Sequence, residues 1–289
     1  MQFTSKDIIE IKQEIKSGLY LVSTPIGNLG DITLRAIYIL KSSELVLCED
    51  TRNSQKLLKK FGINTKLMSY HKFNERKKSG KIIELLKNNK IISLISDAGT
   101  PVISDPGNVL VKECIINGIS IYPVPGPSSI TSAFSVSGFE EKFFFYGFLK
   151  KTETQIENEI KKLRDIPYAI IFFVPSNKIN KIIKFFKMYF SDRKILIAKE
   201  MTKIYESFIR DDISSLNLIN TNLKGELTVV ISNKLNDKKK GLIQLSESVK
   251  KEIRLMTEKY SSKDVAEFIS KKEQISKKLI YDYCINLKK

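Results

Sequence analysis

Short hydrophobic runs recur along the first half of the chain, and each run is followed by a segment with helical spacing. Residues 19–23, 90–95 and 119–124 are apolar and rich in β-branched side chains, which is typical of strands buried in a parallel sheet. Residues 130–136 are one of the helical segments that follow such a run. This alternation predicts a parallel sheet with helices on both faces.

A long loop follows the strand predicted at residues 90–95. Residues 96–107 contain two glycines, two prolines and two aspartates, and the loop is unusually long for a strand-to-helix connection. Asp105 and Pro106 are the residue types of a helix cap and a first helical position, so they predict the start of the next helix. Because the carboxyl ends of parallel strands form one edge of a sheet, we expect a ligand site here, although the loop could also simply turn the chain.

The second half of the chain has a different pattern. Residues 143–148 form a strongly apolar strand, which we expect to be buried in a sheet and not to form an aromatic surface. Thr152 and Gln155 have capping-box spacing and open a charged helix. Further strands are predicted at residues 168–174, 194–198 and 227–232, and only helical patterns follow residue 245. The predicted α/β organisation is an N-terminal extension (1–17), an N-terminal α/β domain (18–127), a C-terminal α/β domain (128–235), and a linker with a helical tail (236–289).

Charge and cysteine content narrow the class of protein. The formal net charge is +17, which favours a polyanionic partner, although a genomic bias toward lysine would produce the same excess. Cys48, Cys114 and Cys284 are scattered and form no CxxC pair, which predicts a reduced, cytoplasmic protein without a metal site. We also expect neither a membrane span nor a signal peptide.

Four spaced motifs together resemble the tetrapyrrole-methylase superfamily of class III S-adenosylmethionine-dependent methyltransferases. They are STPIGNL at 23–29, EDTR at 49–52, SDAGTP at 96–101 and PGP at 125–127. Within that superfamily, the chain resembles the bacterial enzymes that methylate the ribose 2′-oxygen of a cytidine in 16S ribosomal RNA, near the decoding centre. The resemblance implies two α/β domains with the donor between them, a homodimer, no metal, and the small ribosomal subunit as partner.

The resemblance also assigns the methyl donor, S-adenosylmethionine, to particular positions. The implied cofactor-binding residues are Pro25, Gly27, Asp97, Ala98, Gly99, Thr100, Pro101, Ser128, Ser129, Val174 and Gly225. The chain departs from the family pattern at Phe73, where a second histidine is common, and at Val174 and Lys178, near which a glutamate and an arginine are common. A paired-histidine mechanism is therefore not expected.

A ribose hydroxyl is a poor nucleophile, so methylating it calls for a proton acceptor within hydrogen-bond reach. Glu49 and Asp50 follow a strand directly, and His71 is the single histidine, a residue type often used as a proton acceptor in catalysis. Glu75 and Glu206 are further candidates, so the choice of base stays open. The predicted substrate-binding residues are Arg52, Asn74, Glu75 and Lys203.

Two other functions remain open from the sequence. One is methylation of carbon on a tetrapyrrole or another small acceptor, and the other is a ribosome-binding relative that does not catalyse transfer. The basic charge, the EDTR motif and the lysine-rich tail favour a large anionic substrate. Donor binding together with methyl transfer to purified small subunits distinguishes all three.

Overall fold

The structure is a computed structural model that describes residues 15–140, 142–219, 225–234, 245–273 and 276–287. Two compact units divide the chain, Met1–Asn233 and Lys234–Lys289. Most of the predicted N-terminal extension and the core of the predicted linker lie outside the described residues. No helix in the described ranges is long and apolar enough to cross a membrane.

A parallel five-stranded sheet forms the first half of the larger unit. Its strands are β1 (Gly18–Val22), β2 (Leu45–Cys48), β3 (Leu67–Ser69), β4 (Ile91–Leu94) and β5 (Ile121–Val124). They pair in the order β3-β2-β4-β1-β5, and every pairing is parallel. The predicted parallel sheet is therefore confirmed.

Helices cover both faces of this sheet, as the sequence pattern predicts. They are α1 (Leu34–Ser42), α2 (Thr51–Lys60), α3 (Glu75–Lys87) and α4 (Asn108–Ile116), with a short 3-10 turn at Leu29–Asp31. Ala36 and Leu58 pack in one core on the α1 and α2 side, whereas Ile82 and Leu110 pack in a second core on the α3 and α4 side. Burial on both faces explains why these strands are apolar throughout.

Two details of the first sheet differ from the sequence prediction. Strand β3 has only three residues, all half-buried at the sheet edge, so it carries no strong hydrophobic pattern. The prediction that Asp105 and Pro106 start a helix was wrong, since Gly107 is the N-cap of α4 and lies at φ 129°. Glycine adopts that backbone angle readily, whereas other residues rarely do. The loop therefore ends at Gly107, two residues later than the predicted cap at Asp105.

A mixed five-stranded sheet forms the other half of the larger unit. Its strands are β6 (Phe143–Phe148), β7 (Ala169–Pro175), β8 (Lys194–Lys199), β9 (Ser207–Asp212) and β10 (Glu226–Ile231), in the order β6-β7-β10-β8-β9. Only β6 and β7 are parallel, and the other pairings are antiparallel. Helix α5 (Ser129–Ser135) covers one face, and α6 (Glu153–Leu163) and α7 (Ile179–Tyr189) cover the other. A 3-10 turn, Ser176–Lys178, precedes α7.

The local predictions for this second sheet have mixed outcomes. The cap of α6 is confirmed, because the Thr152 side chain accepts a hydrogen bond from the Gln155 amide. The prediction that residues 143–148 are buried was wrong, since β6 is an edge strand on which Phe143, Phe144 and Phe148 are about 40% exposed. Strand β9 was not predicted, because an edge strand ending in two aspartates lacks a continuous apolar run.

The described part of the smaller unit contains three helices, which confirms the predicted helical tail. They are α8 (Glu247–Thr257), α9 (Ser262–Glu273) and α10 (Lys277–Leu287). Ile253, Ile269 and Ile280 are fully buried in a core that the three helices share. Lys272 on α9 forms an ion pair with Glu252 on α8 at 2.6 Å.

Candidate active site

A cavity of about 540 Å³ lies at the edge of the parallel sheet, between the loops that follow its strands and one face of the mixed sheet. This volume lies within the range of small-molecule sites, about 300–1,000 Å³. The loops after β1, β2, β4 and β5 contribute Ile26, Glu49, Gly99 and Ser128 to the wall. Three residues at neighbouring register positions, Phe173, Thr228 and Ala198, line it from the mixed sheet.

Five of the predicted cofactor-binding residues line this cavity: Ala98, Gly99, Thr100, Ser128 and Ser129. Gly99 lies at φ 79° and exchanges two backbone hydrogen bonds with Thr24, at 2.9 and 3.0 Å. The Thr100 hydroxyl contacts the Ser23 hydroxyl at 3.1 Å and the Pro127 carbonyl at 3.3 Å. These bonds tie together the loops after β1, β4 and β5 on one side of the cavity.

The other predicted cofactor-binding residues lie around the cavity without lining it. Pro25, Gly27 and Asp97 line a neighbouring groove of about 360 Å³, and Asp97 accepts a hydrogen bond from Asn53 there. Pro101 is buried, and Gly225 precedes Glu226, which does line the cavity. The Val174 side chain is buried on the opposite face of the mixed sheet, in the core beside α6 and α7.

Side chains alternate along a strand, and that explains the position of Val174. Its neighbour Phe173 points to the cavity face, where it is opposite Thr228 on β10. Thr228 is in turn opposite Ala198 on β8. Sequence reasoning missed these three wall residues because the pairing that aligns them joins segments distant in sequence.

A tight turn after β8, residues 200–206, connects the two halves of the larger unit. The Thr202 hydroxyl accepts a hydrogen bond from the Asn28 amide at 3.0 Å, across the cavity rim. The Glu206 carboxylate accepts from the Thr202 amide at 2.7 Å, so this candidate base holds the turn instead of facing the cavity. Lys203 does line the cavity and forms an ion pair with Glu200 at 3.0 Å.

Asp50 and Arg52, from the EDTR motif, form a local pair. Asp50 is the N-cap of α2, accepting from the Arg52 amide at 2.8 Å, and it also accepts from the Arg52 guanidinium at 2.8 Å. These bonds lower the pKa of Asp50 to about 2, which makes its carboxylate a weak proton acceptor. The Arg52 side chain is 86% exposed and carries its charge to the surface. Glu49, the preceding residue, lines the cavity.

His71 and Asn74 form a second local arrangement, after β3. The Asn74 amide nitrogen lies 2.9 Å from His71 Nε2, and the His71 backbone amide donates to the Asn74 side-chain oxygen at 2.9 Å. His71 Nδ1 is buried and has no hydrogen-bond partner within the described residues. Neither residue lines the cavity. Glu75 supports the long loop instead, since it accepts from the Gly107 amide at 3.4 Å.

Asp105 was treated in the sequence only as a helix cap, yet it lines the cavity. Its pKa is raised to about 6, chiefly because the carboxyl is half-buried and also because the charge of Glu49 is near. A hydrogen bond with Ser96 opposes the shift, and the charges of Asp97 and Glu226 add to it. The Asp-Pro sequence matches a common helix start. No sequence signal therefore distinguished a helix-capping aspartate from one that lines a cavity.

The cavity has the surfaces that S-adenosylmethionine needs. The Gly99 backbone, at a positive φ, faces the space without a side chain, which allows close approach of a ligand. Ile103, Phe148 and Phe173 offer apolar surface for an adenosine, while Thr100, Ser128 and Thr228 offer hydroxyls. The residues present therefore fit this donor, with the loop at 98–100 and the floor of the mixed sheet on opposite sides.

Comparison with known proteins agrees with this geometry. A family model described as Tetrapyrrole (Corrin/Porphyrin) Methylases matches residues 18–217. "Ribosomal RNA small subunit methyltransferase I" of Rickettsia prowazekii (strain Madrid E) is 44% identical over 221 residues, covering 75% of this chain and 79% of that protein. The protein of the same name from Neisseria meningitidis serogroup B (strain MC58) is 32% identical and covers 93% of this chain and 94% of its own.

Solved structures show the fold alone. Diphthine synthase has a TM-score of 0.58 at 16% identity, covering 74% of this chain and 89% of its own. A cobalt precorrin-4 methyltransferase has a TM-score of 0.52 at 16% identity, covering 74% and 94%. The predicted fold of two α/β domains and the predicted S-adenosylmethionine dependence are confirmed at the level of the family. By the extent of these matches, the chain belongs to the tetrapyrrole (corrin/porphyrin) methylase family.

Proposed function

We propose that this protein transfers a methyl group from S-adenosylmethionine to the 2′-oxygen of a cytidine ribose in 16S ribosomal RNA of the small subunit. The observation that carries methyl transfer is the convergence of residues 26, 49, 98–100 and 128–129 on one cavity. The substrate class comes from the relatives, which are named for the small ribosomal subunit and match most of this chain.

The bound donor supplies a methyl group on a positively charged sulfur, and the protein must align the acceptor oxygen with it. Positioning of two reactants in a rigid site can contribute about 7–11 kcal/mol to the lowering of a barrier. Hydrogen bonds between Thr24 and Gly99, and from Thr100 to Ser23 and Pro127, hold the donor side of the cavity in place. Asn28 and Thr202 hold the other side. We therefore assign to these loops an aligning role.

The RNA-binding part of the proposal depends on exposed positive charge. Arg52 lies three residues after Glu49, which lines the cavity, and the Arg52 side chain is 86% exposed. Lys203 lines the cavity itself. Either cation can contact a phosphate once the ribose enters. Because such contacts release counterions, binding of small subunits should weaken steeply as salt rises.

Assembly and location are also part of the proposal. The resemblance to the family supports a homodimer in the cytoplasm with no metal requirement. Analytical ultracentrifugation of the full chain tests the dimer, and a mass near 33.1 kDa, that of one chain, would contradict it.

Mapping of ribose methylation tests the activity. In a strain without this protein, we expect one cytidine of the small-subunit RNA to become sensitive to alkaline cleavage. The wild-type gene should restore resistance, whereas Gly99→Val should not, since Gly99 is at φ 79° in the cavity wall. Gly80→Ala is the matched control, because a Cβ at Gly80 meets nothing within 4 Å.

The result that overturns the proposal is unchanged resistance at every methylated cytidine in the strain without the protein. Transfer of radioactive methyl from S-adenosylmethionine to a small molecule, with none to purified subunits, would favour the alternative of a small acceptor. Donor binding without transfer to either acceptor would favour the ribosome-binding alternative.

A further inference from the structure

The inference concerns the part of the long loop that projects into the cavity, residues 101–107. Three of these residues have positive φ angles: Val102 at 75°, Ser104 at 65° and Gly107 at 129°. For valine, a β-branched residue, such an angle is a genuine outlier, and strain of this kind is retained only where the surrounding structure enforces it. Strained backbone is often found at functional sites.

Contacts on both sides enforce this conformation. A Cβ on Gly107 would lie 2.6 Å from Leu94 Cδ2 and 2.9 Å from Val102 Cγ2, so the loop packs directly on β4. A Cβ on Gly147 would lie 3.1 Å from Ser104 Oγ, so the loop also reaches the bulge in β6. The strained segment therefore contacts both sheets, and these contacts fix the position of Asp105 and Pro106, which lie between Ser104 and Gly107.

Asp105 is the residue that this bridge places in the cavity. The acidic groups near it are Glu49 at the end of β2, Asp97 in its own loop beside the cavity, and Glu226 on β10. Lys203 and Glu200, from the turn after β8, line the same cavity and are paired with each other. Half-buried among carboxylates, the Asp105 carboxyl has a pKa of about 6, near the value that suits a proton acceptor at neutral pH.

The residues expected from the sequence are less well placed for this task. Asp50 has its oxygens occupied by Arg52, and His71 lies outside the cavity with Nε2 beside Asn74. Glu49 lines the cavity and remains the competing carboxylate.

We propose that Asp105 is the catalytic residue that accepts the proton of the ribose 2′-hydroxyl during methyl transfer. This inference rests on the proposed function. The hydroxyl oxygen forms a bond to the methyl carbon while the bond from that carbon to sulfur breaks, and the electron pair of the broken bond stays on sulfur. The hydroxyl proton moves to a carboxylate oxygen of Asp105. The products are the 2′-O-methyl ribose, the neutral thioether and a protonated Asp105, which then releases its proton to water.

The test is single-turnover methylation of small subunits from a strain without the protein, measured across pH. The wild-type rate should rise with pH and level off above about 6. Asp105→Asn should lower the rate by about 10²- to 10⁴-fold and remove that rise. Asp105→Glu, which retains a carboxyl, should retain more activity than Asp105→Asn.

Glu49→Gln is the matched comparison inside the cavity. Because the Glu49 charge raises the pKa of Asp105, removing it should move the rise in rate to lower pH without abolishing the reaction. Calorimetry of each variant with S-adenosylmethionine separates catalysis from donor binding, and we expect the donor affinity of Asp105→Asn to remain within threefold of wild type.

Three results would overturn the inference. They are a rate for Asp105→Asn within threefold of wild type, a loss of donor affinity as large as the loss of rate, or a loss of the pH-dependent rise in Glu49→Gln and not in Asp105→Asn. Failure of the wild-type protein to methylate subunits would instead contradict the proposed function itself. The two failures are therefore distinguishable.

Discussion

The two sheets of the larger unit contribute to the cavity in different ways. The parallel sheet contributes loops at the carboxyl ends of its strands, as at Glu49 and Gly99. The mixed sheet contributes side chains from the middle of a sheet face, namely Phe173, Thr228 and Ala198. The parallel sheet thus contributes loop backbone to the cavity, and the mixed sheet contributes the side chains of one sheet face.

This difference follows from strand direction. In a parallel sheet, all connecting loops of one kind meet at the same edge, so several motifs converge without any need to know the register. In an antiparallel arrangement, adjacent strands run in opposite directions, and only the register decides which side chains become neighbours. The contribution of the mixed sheet to the cavity therefore depends on the stability of its strand pairing. The contribution of the parallel sheet depends on the conformation of its loops.

Substitution of Arg193 tests the stability of the mixed sheet. The expected loss of unfolding free energy is the largest effect on stability that we predict. The side chain is 1% exposed and donates to the carbonyls of Arg164, Ile166, Tyr168 and Ser232, at 2.7–3.4 Å. It also lies over the Phe190 ring at 5.0 Å. Arg193→Met should lower the free energy of unfolding by about 3–5 kcal/mol, since several buried carbonyls lose their donor. Urea denaturation measures the change.

A matched arginine in the parallel half serves as the control. Among the residues that the structure describes, Arg35 donates to a single carbonyl, that of Pro123, at 2.9 Å. Arg35→Met should therefore lower the free energy of unfolding by about 1 kcal/mol or less. Equal losses for the two variants would show that the mixed sheet has no special dependence on its buried cation.

The sequence predicts these two sheets unequally. Each strand of the parallel sheet except β3 was visible, because an apolar run preceded a helical pattern, and the loops carried motifs. The wall of the mixed sheet was not, because Val174 and Phe173 are equally apolar and only the pairing with β10 decides which one faces the cavity. Asp105 was assigned to a helix cap because its loop conformation depends on positive φ angles at Val102 and Ser104, for which these residue types give no signal.

Gly27 tests how closely the two halves must approach, with a smaller expected effect. A Cβ there would lie 2.5 Å from Lys203 Cγ, 2.8 Å from Thr202 Oγ1 and 3.0 Å from the Met201 carbonyl. Because the turn at 200–206 is fixed by its own hydrogen bonds, Gly27→Ala should push it from the cavity rim. We expect donor affinity to fall about tenfold, or about 1.4 kcal/mol, by calorimetry.

Gly30→Ala controls for substitution in the same loop, since a Cβ there meets only the Asn28 side chain, at 3.2 Å or more. Its donor affinity should equal that of the wild type. If Gly27→Ala also bound the donor normally, the halves would tolerate a wider separation than the contact at Asn28 and Thr202 implies.

The smallest predicted effect is the loss of free energy of unfolding that accompanies ionisation of Asp105. Its folded pKa of about 6 lies above the ordinary value of 3.8, so the native state binds more protons than the unfolded state between these pH values. The free energy of unfolding should therefore fall as pH rises from about 4 to about 6, and stay lower above that range. The full shift corresponds to about 3 kcal/mol, which solvent screening of a half-exposed group reduces to about 1 kcal/mol.

Asp105→Asn removes this titration and should be the more stable protein at pH 8, by about 2–4 °C in melting temperature. Well below the unfolded-state pKa of 3.8 the two proteins should melt together, because Asp105 is then neutral in both the folded and the unfolded state. Asp282→Asn, which removes an exposed carboxylate on α10, is the control for the loss of one acidic side chain and should leave the melting temperature at pH 8 unchanged. A gain at Asp105 that accompanies a loss of rate would mean that the loop holds this carboxylate in the cavity at the expense of stability. An equal melting temperature at pH 8 would mean instead that the site accommodates the charge of Asp105 without a penalty in stability.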